Sequence, residues 1–263
     1  MAQSVVADIR RDYVESLVRD GKRTDGRAFD QFREVRIQPR VVGQAEGSAR
    51  VQIGETEVFA GVKIQPGTPY PDQPATGVMT TSAELIPMAS PDFEAGPPRP
   101  ESIELARVVD RGIRETDTIA LEKMCITPGE EVWMVYIDLH IVDYDGNLFD
   151  AASLAAMGAL LSAKVPAAKY KKGDGVDFPL PIQHTPISVT HAKIGNGLVV
   201  DPNLLEDQVA APRLTVAVDE NGLIRAMQKG LAGTLTKDEV LQCVRTARIK
   251  GEEIRAKLLE AVR

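Results

Sequence analysis

A chain of 263 residues, 43% of them apolar, is long enough to bury a substantial core. Its longest apolar runs, such as residues 154–161, fall far short of the roughly 20 residues a membrane span needs. The net charge of −7 argues against a free-standing nucleic-acid binder, because affinity for a phosphate backbone comes from Lys and Arg, although a local basic patch is compatible with an acidic whole. Residues 1–12 carry no apolar signal core and the two cysteines, Cys125 and Cys243, are too few for a disulfide framework; a cytoplasmic protein is expected, with both thiols in packing roles.

Val6, Ile9, Tyr13 and Leu17 recur at spacings of three and four, which predicts an amphipathic helix over 5–18 that ends near Gly21. Alternating or apolar runs at 34–39, 48–53, 57–64 and 78–87 follow, divided by turn signals, and read as a sheet of antiparallel hairpins. Residues 67–77 hold Pro69, Pro71 and Pro74 and read as a loop. A second Pro-rich stretch, 95–100, leads into a helix to about Asp117. The run 130–142 is β-branched and aromatic with apolar residues on both faces, as in a central strand. Residues 151–164 are apolar nearly all round and predict a helix buried between layers. After a polar linker at 171–177, strands are expected at 187–193, 197–200, 214–219 and 223–228. Thr236 and Glu239 have capping-box spacing before a last helix whose stripe is Val240, Val244, Ala247, Ile254 and Leu258. Two successive groups of strands and helices define an α+β pattern, with the divide at 165–185.

On the helix after Pro100, successive residues turn by about 100°, so Arg107, Arg111 and Arg114 share one face opposite Leu105, Ala106, Val108, Val109 and Ile113. Pairing with Glu104 and Asp110 would make it an ordinary charged face; phosphate contact is the functional reading, for which the guanidinium fork is suited. Asp138, His140, Asp143 and Asp145 mix carboxylates with an imidazole but lack a recognisable metal spacing, and structural roles are expected of them. His184 and His191 stand apart from any nucleophile motif. Neither of the two common glycine-rich phosphate loops occurs. The turn at 22–27, KRTDGR, would by itself pass as a solvated loop.

That turn is also where a resemblance begins. R-x-D-G-R at 23–27, ETEVFAGVK at 55–63, GVMTTSAELIPMASPDFEAGPP at 77–98, ELARVVDRGIR at 104–114, VWMVYIDLHIVDYDGNLFDAASLAA at 132–156 and VVDPNLLED at 199–207 resemble the RNase PH superfamily, and within it the non-catalytic ring subunits of archaeal exosomes. The resemblance implies an RNase PH fold of two similar βα halves with a ribosomal protein S5 domain 2-like core. The boundaries expected are an N-terminal helix and basic turn at 1–27, a first half at 28–165 and a second half with the C-terminal helix at 185–263. It further implies a ring of three heterodimers with a catalytic RNase PH-like subunit, RNA-binding cap subunits and single-stranded RNA as partners.

Active members of the superfamily cleave RNA with inorganic phosphate, held at a G-[ST]-R turn that opens a helix. Here the matching residues are Asn147, Leu148 and Phe149, followed by Asp150, so the phosphate arginine is a phenylalanine beside an aspartate. The family's later acidic position falls at Pro212, with no carboxylate from Ala210 to Arg213. The resemblance therefore implies no catalytic residue, no metal and no cofactor, and leaves Arg107, Arg111 and, as a weaker neighbour, Arg114 as RNA contacts. The alternative is a self-sufficient phosphorolytic or metal-dependent exoribonuclease built on Asp201, Glu206 and Asp207.

Overall fold

The computed structural model describes residues 2–263, with side chains from Arg10 onward. Helix α1 (Ala2–Arg19) leads into strands β1 (Val35–Pro39), β2 (Gly47–Ile53), β3 (Thr56–Gly67) and β4 (Val78–Leu85), then helix α2 (Pro100–Arg114). A 3-10 turn at Leu121–Met124 precedes β5 (Cys125–Thr127), the long β6 (Glu131–Asp143) and α3 (Leu148–Ser162). The divide between halves carries β7 (Lys164–Val165), α4 (Ala167–Tyr170) and β8 (Phe178–Pro179). The second half runs β9 (Ile187–Ile194), β10 (Gly197–Val200), α5 (Leu204–Val209), β11 (Arg213–Val218), β12 (Ile224–Gly230) and α6 (Lys237–Val262).

The first half is a six-stranded sheet ordered β1-β2-β3-β6-β4, with β5 added to β6; the second is a four-stranded sheet ordered β10-β9-β11-β12. One expectation fails here. Strand β4 is no hairpin partner of β3 but lies parallel to β6, Val78 opposite Met134 through Leu85 opposite Ile141. The Pro-rich segment after β3 cannot fold back as a tight turn. Instead it carries the chain across β6, Gly77 N–H donating to the Leu121 carbonyl (2.8 Å), and α2 becomes the crossover between two parallel strands. Strand β6 is central as expected, yet only one face is fully apolar: Trp133, Val135, Ile137, Leu139 and Ile141 are buried, while Met134, Tyr136, Asp138 and His140 are half-exposed on the other.

Helix α3 joins the halves. It packs on the first sheet, on β9 and on both α2 and α6, and nearly every residue from Phe149 to Ser162 is buried, which is why its sequence has no polar stripe. Helix α6 opens on a complete capping box, Thr236 N–H donating to Glu239 Oε2 (2.7 Å) and Glu239 N–H to Thr236 Oγ1 (3.2 Å). Cys243, Ala247, Ile254 and Leu258 form its buried stripe.

Helix α1 is rotated from its expected face. Val14 and Val18 are the buried residues, against Ile194, Val199 and Val209, whereas Tyr13 is 58% exposed and Leu17 is half-buried. The helix docks on α5 and β9, so their apolar surface selects the stripe. Val6 and Ile9 lie outside the residues whose side chains are described. Cys125 and Cys243 are free thiols, and among the described residues no helix is long and apolar enough to cross a membrane.

Candidate nucleic-acid interface

Helix α2 presents the three arginines. Pro100 suits its first turn, where the missing N–H would be unpaired in any case, and Glu101 at the start with Arg111 and Arg114 at the end complements the helix dipole. Leu105, Val108, Val109 and Ile113 are buried, anchoring one side of the helix. On the other side Arg107, Arg111 and Arg114 are exposed and line a single cleft of about 610 Å³ together with Tyr70, Thr81 and Asp110.

The three are not equivalent. Arg114 donates Nε and Nη2 to Asp110 (2.9 Å each) and Nη2 also to the Met79 carbonyl (3.0 Å), so a carboxylate neutralises it. Arg111 donates Nη1 to the neutral amide oxygen of Gln228 (3.0 Å). Arg107 makes no hydrogen bond or ion pair with the described residues. Glu104 turns away from this face and accepts instead from Arg213 Nη2 (3.2 Å) on β11.

At the turn that opens α3, Gly146 has φ +83°, and a Cβ there would lie 2.5 Å from the Pro202 carbonyl. The following Asn147 is also left-handed, at φ 51°. Its Nδ2 donates to Asp150 Oδ2 (2.9 Å) and to Asp201 Oδ1 (2.7 Å). Asp150 is buried and accepts from the Thr190 N–H (2.9 Å) and from Thr190 Oγ1 (2.7 Å), itself 2.8 Å from Thr215 Oγ1. Phe149 is buried beneath the Arg213 guanidinium, 4.1 Å above its ring centroid. The turn that opens α3 is thus packed with side chains of this chain, two of them acidic.

Burial pushes the Asp150 carboxyl up to about 7, with the Asp201 charge adding to it and the Asn147 and Thr190 donors opposing it. A raised acid contributes stability that is present below the unfolded value near 3.8 and is lost as pH rises through about 7. Unfolding free energy should therefore fall by roughly 1 kcal/mol for each pH unit between about pH 5 and 7 from this group, and level off above about pH 8. Asp150→Asn removes the titrating group, and denaturant titrations should show this part of the slope gone; equal slopes for both proteins would contradict the assignment.

The acidic residues of the 199–207 segment are already engaged. Asp201 accepts from the Arg33 N–H (2.9 Å), Arg33 Nε (2.9 Å) and Nη2 (2.7 Å), and Arg27 Nη1 (3.0 Å). Burial alone would raise its pKa, but the Arg33 contacts hold it below the usual range. Glu206 forms a fully buried pair with Arg23 (2.9 and 2.6 Å). Asp207 accepts from Tyr144 Oη (3.1 Å) and lies 3.8 Å from Arg213 Nη1; its burial raises its pKa despite that cation. Among the described residues no three His, Cys, Asp or Glu side chains converge as a metal donor set.

The remaining candidates are scattered. Asp138 accepts from Ser82 Oγ (2.7 Å) and His140 faces Glu84 (3.3 Å) on the open side of the sheet, while Asp143 caps its own turn at Tyr144 and Asp145 meets Arg33. His184 pairs with Glu220 (2.6 Å). His191 is buried with neither ring nitrogen hydrogen-bonded among the described residues, and burial lowers its pKa to about 4, so it packs as a neutral ring.

The structure adds residues that sequence reading passed over. Arg23, Arg27 and Arg33 clamp the N-terminal turn onto Asp201 and Glu206, so that turn is no solvated loop; R-x-D-G-R was the available signal. Arg213 and Gln228 belong to no motif, and only folding brings them to α2.

Two βα sheets sharing one buried helix, with an arginine helix across the first, define a protein of the RNase PH fold. Sequence comparison agrees: the 3′ exoribonuclease family's domain 1 matches residues 31–166 and its domain 2 matches 184–250. The chain belongs to this 3′ exoribonuclease family. It is 51% identical to the exosome complex component Rrp42 of Methanocella arvoryzae, over 98% of each chain, and 50% identical to that of Thermococcus kodakarensis, over 98% of this chain and 97% of the relative. A chain of the Archaeoglobus fulgidus exosome with RNA bound to the active site superposes with a TM-score of 0.93 at 47% identity, covering 96% of this chain and 99% of that one. A chain of an archaeal exosome core gives 0.90 at 44% identity, covering 98% and 99%.

Proposed function

We propose that this chain is a non-catalytic structural and RNA-holding subunit of a cytoplasmic exosome ring, acting in 3′-to-5′ RNA degradation beside a catalytic RNase PH-like subunit. In this reading the halves at 28–165 and 185–263 supply the ring frame, three copies alternate with the catalytic subunit beneath RNA-binding caps, and Arg107 and Arg111 hold single-stranded RNA. The carrying observation is the self-filled turn: Phe149 under Arg213, and Asp150 locked to Thr190, occupy the place where a phosphorolytic enzyme needs an arginine and open N–H groups. Repulsion from Asp201 and Asp150 would add to the loss of that arginine.

A metal-dependent nuclease on Asp201, Glu206 and Asp207 finds no support in this geometry. Two of those carboxylates are fully engaged by arginines, and the third points to Tyr144 and Arg213. The purified chain, given single-stranded RNA and inorganic phosphate, is expected to release no nucleoside diphosphate, while the ring assembled with a catalytic subunit does. Steady release from the chain alone, free of contaminating partner, would overturn the reading.

A further inference from the structure

Among the described residues the three arginines of α2 form a series graded by their partners: a carboxylate for Arg114, a neutral amide for Arg111, none for Arg107. The amide belongs to Gln228 on β12, in the other half of the molecule and 117 residues away. Oε1 accepts only from Nη1, at 3.0 Å, and Arg111 makes no other hydrogen bond with the described residues. One bond to a neutral acceptor fixes the direction of the guanidinium plane without cancelling its charge, and leaves its other N–H groups for a bidentate phosphate contact.

β12 also lies close to α2 at a second point. Arg213 Nη2, on the neighbouring strand β11, donates to Glu104 one helical turn before Arg107, and Gly230 at the end of β12 lies so close that an added Cβ would sit 2.9 Å from Arg213 Nη2 and 3.3 Å from Glu104 Oε1. β12 therefore runs along α2 from Arg111 to Glu104, which places Gln228 within reach of the arginine.

We infer that Gln228 is a positioning residue for RNA: it orients Arg111 toward the phosphate backbone while preserving its positive charge. This rests on the reading of Arg107 and Arg111 as RNA contacts. It gives the amide at this position a physical role. A glutamate of the same shape would turn the contact into an ion pair, like that of Arg114 with Asp110, and a residue without an acceptor would let the side chain sample its other rotamers.

The test uses the ring assembled with a catalytic subunit and a fluorescent oligoadenylate, with affinity measured across a salt series. Gln228→Glu is expected to weaken binding about tenfold at moderate salt and to lower the salt slope by about 0.7, the loss of one phosphate contact on a single strand. Gln228→Ala, which loosens Arg111 but keeps its charge, should cost about threefold with the slope unchanged. Repulsion between the new carboxylate and RNA is separated by a double-mutant cycle: in an Arg111→Ala background Gln228→Glu should cost less than about twofold.

If Gln228→Glu binds as the unaltered ring does, or costs the same with and without Arg111, the inference is overturned. Arg107→Glu with Arg111→Glu, measured alongside, separates the two levels of the argument. Loss of binding there with no effect of Gln228→Glu removes only the positioning role; no effect of either removes the RNA-contact reading as well. Size-exclusion chromatography confirms ring assembly for each variant, and if Gln228→Glu fails to assemble, the Gln228→Ala affinity with its own Arg111→Ala cycle carries the decision.

Discussion

Arg107→Glu combined with Arg111→Glu is expected to weaken RNA binding by the assembled ring about a hundredfold, while leaving assembly intact. Two charge-assisted contacts at roughly 1.5 kcal/mol each amount to about 3 kcal/mol, which is two decades in affinity. The salt slope should fall by about 1.4, since each phosphate neutralised on a single strand contributes about 0.7. Both side chains are exposed and contribute nothing to the core, so stability is not at issue. Arg114→Glu should do much less, because Asp110 already cancels that charge and Arg114 is bound to the Met79 carbonyl. A double variant with unaltered affinity and slope would remove these residues from the RNA path.

Arg23→Ala is expected to destabilise the protein by about 3–5 kcal/mol, the range for removing one partner of a buried ion pair. Glu206 would be left buried without its cation, and the carbonyls of Ala28, Gln31, Val200 and Asp201, which accept from Arg23, would lose a donor. In a chain of this size such a loss lowers the unfolding midpoint by on the order of 10 °C. Arg23→Lys should recover only part of it, because one ammonium cannot reproduce the fork that reaches Glu206 and the carbonyls together. Thermal unfolding of the variants would show this, and a drop of less than about 1 kcal/mol for Arg23→Ala would mean that the clamp does not hold the N-terminal turn.

The elements most legible in the sequence were those whose cause is local. The capping box at Thr236 and Glu239, the buried α3 and the arginine face of α2 each follow from spacing within a few turns of helix. The α1 stripe was misplaced because Val14 and Val18, next to Tyr13 and Leu17, are the residues that meet β9 and α5. Strand β4 was misassigned because alternation reports a strand but not its neighbour, and the neighbour was decided by a proline loop too stiff to turn back.

For the candidate site, sequence by itself determined that Phe149 and Asp150 follow Asn147 and Leu148, that no carboxylate lies from Ala210 to Arg213 and that three arginines share one helical face. Those are properties of residue type and of the helical repeat, and no fold could alter them. Which arginine stays available was decided only by tertiary structure. Asp110 neutralises Arg114 from within the helix, but Gln228 reaches Arg111 across 117 residues and Arg23 meets Glu206 across 183. A guanidinium's worth to RNA depends on what else it touches, and that is settled when the two halves close on each other.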